Sequence, residues 1–580
     1  MPRLTLGIFG DFEKRSLGSV FFDSRKSAVC VGLIFLGVSW LVTEHFGPWL
    51  AFHSELLAFG ALFFWVWARL TSSDKRLALP AISLVVLLTA LIPPIQWFTG
   101  VSFFAGDALM SSLYLVGLAM AISMGYAWSG ASAVSGRYVQ ALMLMLSVAA
   151  ILSAGVGWAQ WLSVEYVGGT LVVPTSTGRA VGNLAQPNQL ATLLLMGLAA
   201  YTYLYKHRVF TGATFALGAA FMSIALAMTQ SRTGLLSALF MVIFWVWKDR
   251  KIVSRLSIYG AVLWLGLTFS TARVLPDIGN ALLITSTALP RSLEGSGSRW
   301  SIWQQVSHAI GQSPWVGYGW NQTFTAQTVG APAYASDENY IFAHNLLLDL
   351  LAWNGIPAGI LLAAGLVWWF ISRMTTSRST DSVAAMTVLL PFAVHSLLEF
   401  PFAYAYFLFT AGLLIGIVEA SAGVRPTLRI VKPLATAVFG IWVLASAWVV
   451  LEYIAIEEDY RIVRFENLRI GATPTSYVLP EIHLLSHMRA MLIAARFEVQ
   501  PGMTPDQIDV MRKTAMRFPY GLLAYKYALA LALNGDAAAA SRQMSLIRDI
   551  YGERYYTDSK ASLRKLAADK YPELDAVVTP

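Results

Sequence analysis

Cysteine and charge are the scarcest things in this chain of 580 residues. It has one cysteine, Cys30, so no intramolecular disulfide can form and no Cys/His ligand cluster can be drawn. The eight histidines show no metal-ligand spacing, and no motif for a cofactor is present, so neither a metal nor a cofactor is expected. Only 13% of the residues are charged while 56% are hydrophobic, a balance that a soluble monomer cannot sustain. The apolar segments are continuous rather than alternating, which excludes a β-barrel and leaves a polytopic helical membrane protein. A cleavable signal peptide is not expected either, since residues 1–26 are too charged and no small-residue cleavage site follows the first apolar run. Internal repeats and mid-membrane polar positions, the usual marks of a transporter, are lacking as well.

What is present is a chain of roughly thirteen apolar spans of about 20 residues each. They are placed near 27–44, 50–69, 78–97, 108–127, 139–162, 189–206, 209–228, 234–247, 257–275, 345–371, 382–399, 401–420 and 433–454. The segments between them alternate in charge. The N-terminal tail holds Arg3, Lys14, Arg15, Arg25 and Lys26, and every second loop after it is basic. Those loops carry Arg69, Lys75 and Arg76; Arg137; Lys206 and Arg208; Lys248, Arg250, Lys251 and Arg255; Arg373 and Arg378; and Arg425, Arg429 and Lys432. The intervening segments hold only Arg179, Arg232, Arg273, Arg291 and Arg299. Basic loops stay in the cytoplasm, so the N-terminus is expected inside, the C-terminus outside, and the five exceptions on the outer face. The net charge of +8 is accounted for by this topology, and no nucleic acid is expected as a partner.

Two outer segments are long, about 163–188 and about 276–344, and loops of that length are commonly functional. The expected organisation is a transmembrane domain over 1–454, including the loop at about 276–344, followed by a water-soluble helical domain over 455–580. In the latter, acidic and basic residues nearly balance. Tyr520–Leu533, Asn534-Gly535-Asp536 and Ala537–Tyr551 read as helix, turn, helix, with small Ala residues for close packing as in a tetratricopeptide-like hairpin.

His344 lies where the larger outer segment enters the tenth span, a position suited to a general base near neutral pH or to a structural histidine. Asp349, five residues on, is an ionisable group expected inside the membrane boundary, where a functional role, pairing with an arginine or capping of a broken helix would account for it. Arg232 sits in a short turn, Thr229-Gln230-Ser231-Arg232-Thr233-Gly234, and Arg299 in Gly297-Ser298-Arg299-Trp300. Two guanidinium groups at the outer boundary suit a lipid-linked diphosphate, and they also suit head-group anchoring. Arg179 precedes Gly182-Asn183-Leu184-Ala185-Gln186-Pro187-Asn188-Gln189, where four amides crowd a helix start and either cap it or bind sugar hydroxyls. His395 and Glu399 share a helix face before Pro401, with Tyr404 and Tyr406 beyond. A mutual His–Glu hydrogen bond bracing a bent hairpin is the simpler reading there, a second catalytic pair the sharper one.

Together, Gly182 to Leu190, Ser231 to Gly234, Arg299 with Trp303, Pro314 to Trp320, His344-Asn345 and His395 to Leu408 resemble the O-antigen ligase and polymerase superfamily. Within it, the chain is most similar to the bacterial O-linking oligosaccharyltransferases of the pilin-glycosylating type. The resemblance covers most of the chain from about residue 150, and the Gly-Asn-Leu-Ala-Gln-Pro-Asn-Gln string is its best single marker. Phe400 and Ala403 depart from the pattern, standing where Tyr and Trp are expected, so a tyrosine role passes to Tyr404 or Tyr406. The resemblance implies a GT-C-like membrane bundle that moves a preassembled glycan from undecaprenyl diphosphate to a Ser/Thr hydroxyl of an exported, pilin-like protein. It implies periplasmic chemistry at the bacterial inner membrane, without metal or nucleotide sugar. The implied roles are His344 as catalytic base and Arg232 and Arg299 as diphosphate contacts. Gln186, Asn188, Arg179, Asn345, Tyr404 and Tyr406 are the further substrate-binding candidates. Relatives within the superfamily join O-antigen to lipid A-core in lipopolysaccharide or polymerise repeat units, and these are the rival activities. A transporter or a non-catalytic scaffold would leave the outward arginines unexplained.

Overall fold

The computed structural model describes residues 24–129, 133–164, 170–175, 178–249, 258–282, 284 and 297–578. Arg3, Lys14, Arg15, Arg250, Lys251, Arg255 and Arg291 lie outside the described residues. The rest is almost entirely helical, as long runs of Ala, Leu, Val and Phe without interior polar groups dictate in lipid. All thirteen expected spans fall on helices. They are α1 (Ser24–Ser39), α2 (Phe52–Leu70), the pair α3 (Ala81–Thr89) and α4 (Ile92–Phe98), α5 (Ala105–Trp128), α6 (Ala133–Trp161), α7 (Pro187–Lys206), α8 (Gly212–Met228) and α9 (Arg232–Asp249). After α10 (Ile258–Ala281), the outer segment forms α11 (Gly297–Gln312) and α12 (Thr323–Gly330). The bundle then continues with α13 (Leu346–Thr376), α14 (Thr380–Ser396), α15 (Ala405–Ser421) and α16 (Lys432–Leu468). Among the described residues, six of these helical segments are long and apolar enough to cross a membrane alone.

Close packing follows from small residues. A Cβ added at Gly125 of α5 would collide with the Leu413 backbone of α15, and one at Gly416 with the Ile122 backbone of α5. This near-backbone contact is how membrane helices associate without a hydrophobic driving force between them. In α13, Gly355 adopts φ 74° and ψ 177°, which breaks the helix two residues before Pro357. The gap is filled by the Pro-Trp-Val-Gly-Tyr-Gly-Trp string, where Tyr318 and Gly319 donate backbone N–H groups to Ala352 and Trp353 carbonyls.

The basic loops gather at one end of the bundle. Strands β1 (Arg76–Leu79) and β2 (Leu428–Val431) pair antiparallel there, joining two of them. The Lys248 ammonium donates to the Thr375 carbonyl at 2.8 Å, joining two more.

At the opposite end stand α17 (Ser486–Arg496), α18 (Pro505–Arg517), α19 (Gly521–Leu533), α20 (Ala537–Asp569) and the short α21 (Asp575–Val578). The expected hairpin is there, with Gly535 at φ 92° closing α19 and Gly552 at φ 84° breaking α20. The helix before it does not stop where composition changes. α16 runs unbroken to Leu468, 37 residues in all, because a helix needs no apolar surface to continue once it leaves the membrane. These C-terminal helices dock on the end of the bundle away from the basic loops. Arg517 donates two hydrogen bonds, at 3.0 and 2.8 Å, to the Asp107 carboxylate at the start of α5. Thr325 of α12 donates to the Met516 carbonyl at 3.1 Å.

Candidate active site

Four helices begin at the same place, at the end of the bundle opposite the basic loops. Asn188 is the second residue of α7, Ser231 immediately precedes α9, Arg299 is in the first turn of α11, and His344 lies two residues before α13. A helix start presents unpaired N–H groups and a partial positive charge, so four of them together make a site for anions. Into this convergence the turn between α14 and α15 carries one carboxylate, Glu399.

Glu399 is the hub. Its side chain is only 7% exposed, and one oxygen, Oε1, accepts from the Arg299 guanidinium and from the Asn188 amide at 3.0 Å. The other, Oε2, lies 2.7 Å from His344 Nδ1. An ionised carboxylate only accepts hydrogen bonds, so Nδ1 carries a proton, and in the neutral imidazole the lone pair is then on Nε2. This is the arrangement that orients an imidazole to take a proton from a neighbouring hydroxyl. Asn188 is itself fixed, since Ser231 Oγ donates to its Oδ1 at 2.7 Å and accepts the Gly234 N–H at 2.9 Å, capping α9.

The backbone at His344 is held as tightly as the ring. His344 has φ 55°, left-handed and costly for a residue with a Cβ. The preceding residue, Ala343, is gripped from both sides. Its carbonyl accepts from Trp303 Nε1 at 3.0 Å, and its N–H donates to Asp349 Oδ1 at 2.9 Å. Asp349 is fully buried and also accepts from Thr323 Oγ1 at 2.7 Å, and Trp353 donates to that same hydroxyl at 2.8 Å. Asp349 thus holds the loop that carries His344. Ala185 and Gln230, also left-handed, stand just before Gln186 and Ser231, so strained turns deliver three of the converging segments. The imidazole edge rests on Phe400 at a centroid distance of 5.0 Å.

The remaining candidates divide. Arg232 opens α9 with an exposed side chain one residue from Ser231. Arg299 is one-third exposed and spends one nitrogen on Glu399, which leaves further N–H groups of its guanidinium to meet an anion. Gln186 is half-buried at the N-cap of α7 and makes no cap bond with its side chain. Asn345 is occupied structurally, its Oδ1 capping α13 through the Leu347 and Leu348 N–H groups at 3.0 and 3.2 Å. Arg179 braces the α8–α9 turn by donating Nε to the Thr229 carbonyl at 2.9 Å. Tyr406 is buried with its hydroxyl donated to Gln189 at 3.1 Å, and Tyr404 stacks between Phe400 and Tyr406. The four amides of the Gly182–Leu190 string are therefore shared out. Asn183 ties the preceding loop to the Leu41 and Leu171 carbonyls, Gln189 meets Tyr406, and only Asn188 reaches Glu399.

The mutual His395–Glu399 hydrogen bond does not form. His395 Nδ1 lies 2.9 Å from Thr192 Oγ1 inside the bundle, and Glu399 turns away to the converging helices. The Glu399 N–H still bonds the His395 carbonyl at 2.8 Å, and it is the competing partners of the two side chains, Thr192 for one and Arg299, Asn188 and His344 for the other, that keep them apart. Glu399 as the partner of His344 was not legible from spacing, since 55 residues separate them. Among the described residues, no group of three or more His, Cys, Asp or Glu side chains is placed to hold a metal ion.

Comparison with known proteins places this geometry. Residues 217–363 match the family model described as O-antigen ligase, and 383–565 the model described as virulence factor membrane-bound polymerase, C-terminal. Residues 180–205, which hold the amide string, match the protein glycosylation ligase model. A general O-oligosaccharyltransferase of Acinetobacter baylyi is 29% identical over 536 residues, 90% of this chain and 92% of that protein. A ComP-specific O-oligosaccharyltransferase of the same organism is 26% identical over 414 residues, 70% of this chain and 73% of that protein. The chain is a membrane glycosyltransferase, similar over nine-tenths of its length to a bacterial protein O-oligosaccharyltransferase and over two of its segments to the O-antigen ligase and polymerase models.

Proposed function

We propose that this enzyme transfers an oligosaccharide en bloc from undecaprenyl diphosphate to a Ser or Thr hydroxyl of an exported, pilin-like protein. The reaction takes place on the periplasmic side of the bacterial inner membrane, with the N-terminus in the cytoplasm and the soluble C-terminal domain on the side of the site. The observation that carries the reading is Glu399, which gathers His344, Arg299 and Asn188 at four helix starts. The names of both relatives support a protein acceptor, and the gathering of basic loops at the far end supports the orientation.

In this reading His344 Nε2 removes the acceptor hydroxyl proton as the oxygen attacks the anomeric carbon. The bond from that carbon to the diphosphate oxygen breaks, and its electron pair stays on the diphosphate. Arg232 and Arg299, with the four helix starts, stabilise that charge where it develops. Gln186 and Asn188 position the donor. Arg179, Asn345, Tyr404 and Tyr406 act through the backbone and packing that hold these groups in place.

The test is reconstitution of the purified enzyme with a lipid-linked diphosphate glycan and two acceptors side by side, a pilin-like protein and lipid A-core. Glycan on the protein alone is the expected result. Glycan on lipid A-core alone, or elongation of the donor's glycan, would assign the chain to a rival activity of its superfamily. Thiol labelling at an introduced Tyr520→Cys from the periplasm checks the topology, and labelling only from the cytoplasm would reverse it.

A further inference from the structure

A second cavity lies far from this site, at the basic end of the bundle. It has a volume of about 210 Å³ and is walled by the loop-side halves of α7, α8, α9, α10 and α14. Its lining is mostly apolar, including Leu198, Ala199, Val242, Ala261 and Trp264. The small residues Gly260 and Ala261 of α10 leave the space, and α10 is among the least buried of the membrane helices. An apolar space that opens at this depth in a bilayer is filled by hydrocarbon, because water has too few partners there.

Its rim is cationic. Lys206 lines the cavity at the end of α7, with its ammonium 5.3 Å from the Trp245 ring centroid. One turn beyond Trp245, Lys248 donates to the Thr375 and Ser377 carbonyls at 2.8 and 3.1 Å. Arg378 stands two residues before Thr380, another lining residue; burial, and after it the Arg378 charge, holds the Lys248 ammonium below its ordinary value. Like charges along one rim favour an anion beside them. The acid of this rim, Asp381, accepts the Tyr203 hydroxyl at 2.9 Å.

We infer that this cavity holds one acyl chain of an anionic phospholipid of the inner leaflet, with the lipid phosphate against Lys206, Lys248 and Arg378. Neither the glycosyl transfer nor its site residues enter the argument, so the two stand or fall separately.

The test uses the full chain in nanodiscs with phosphatidylglycerol or phosphatidylcholine carrying a photoreactive group near the end of one acyl chain. Crosslinks are mapped by mass spectrometry. Phosphatidylglycerol is expected to label α7, α9 and α10 residues of the cavity wall, and phosphatidylcholine to label them weakly. A Lys206→Gln change and an Arg378→Gln change should each lower that labelling about five-fold, the effect of one cation near a membrane surface. Filling the cavity by Ala261→Trp should remove it. Because the tryptophan risks misfolding, the two Gln variants, kept monodisperse on gel filtration, carry the test alone if it does. Equal labelling by both lipids would overturn the anionic site. Labelling by a photoreactive polyprenyl diphosphate that phosphatidylglycerol does not displace would give the cavity to the donor's tail instead.

Discussion

The end of this protein opposite the basic loops contains two clusters that each combine a histidine, a carboxylate and an arginine, and they are built to opposite ends. In one, His344, Glu399 and Arg299 share a carboxylate. In the other, His487, Asp107 and Arg517 join the C-terminal helices to α5. Arg517 takes both oxygens of Asp107, and the pair is nearly closed to solvent, at 10% and 2% exposure of the two side chains. His487 is buried beside them, stacked parallel to Phe518 and without a hydrogen bond to the carboxylate. Around Glu399 the arginine spends one nitrogen, the histidine takes the second oxygen, and the imidazole stays 23% exposed. A carboxylate that is saturated by arginine locks two elements together. One that is shared with a half-open histidine instead leaves the imidazole placed as the proposed base requires. Residue type does not distinguish the two clusters; the division of hydrogen bonds does.

The contrast breaks most visibly at the histidines and carboxylates themselves. His344→Ala should lower transfer about 10²- to 10⁴-fold, the usual contribution of a positioned general base, in a protein that still inserts. Transfer at the wild-type rate would remove the base assignment. Asp107→Ala should instead cost stability, about 3–5 kcal/mol, because it strands the buried Arg517 charge. Its signature is a lower Tm and faster proteolysis beyond Leu468, and loss of transfer with Tm unchanged would contradict a locking role. Arg299→Ala is expected to weaken donor use about 100-fold, with Arg179→Ala several-fold weaker in effect since it acts through the α8–α9 turn. Equal effects would erase the distinction between contact and brace.

The smallest effect separates the histidines by pH. Burial pushes His487 below its ordinary value of 6.5, with the Asp107 and Arg517 charges opposing each other over it. The unfolded chain then takes the proton more readily than the folded one, so stability is full above about pH 6.5 and declines as pH falls below it. Thermal melts from about pH 7 down to about pH 5 should slope less in His487→Phe than in the wild type. Parallel slopes would exclude His487 as the source.

The sequence makes the membrane scaffold plain and the site only partly so. Continuous apolar runs and alternating loop charge depend on local composition, which is why the spans, the shared end of the basic loops and the Gly535 turn can be read directly. His344, Arg232 and Arg299 stand out as polar residues on the base-poor side. Glu399 does not, because its partners come from α7, α11 and the start of α13, and because the local spacing points to His395. Asn345, Arg179 and Tyr406 look the same in sequence as ligand contacts, and only their hydrogen bonds to the chain itself tell them apart. Asp349 is visible as an intramembrane acid, while its partner, the Ala343 backbone N–H, leaves no mark in the sequence at all.

The central claim is that Glu399 acts through His344. A double-mutant cycle in the reconstituted transfer assay tests it, with His344→Ala, Glu399→Gln and the two combined. Groups that work as one unit lose their joint effect once. The expected result is that Glu399→Gln slows transfer about 100-fold in the wild-type background and has little further effect once His344 is alanine. Full multiplicative losses in the double variant would show that the two residues act independently and contradict the account.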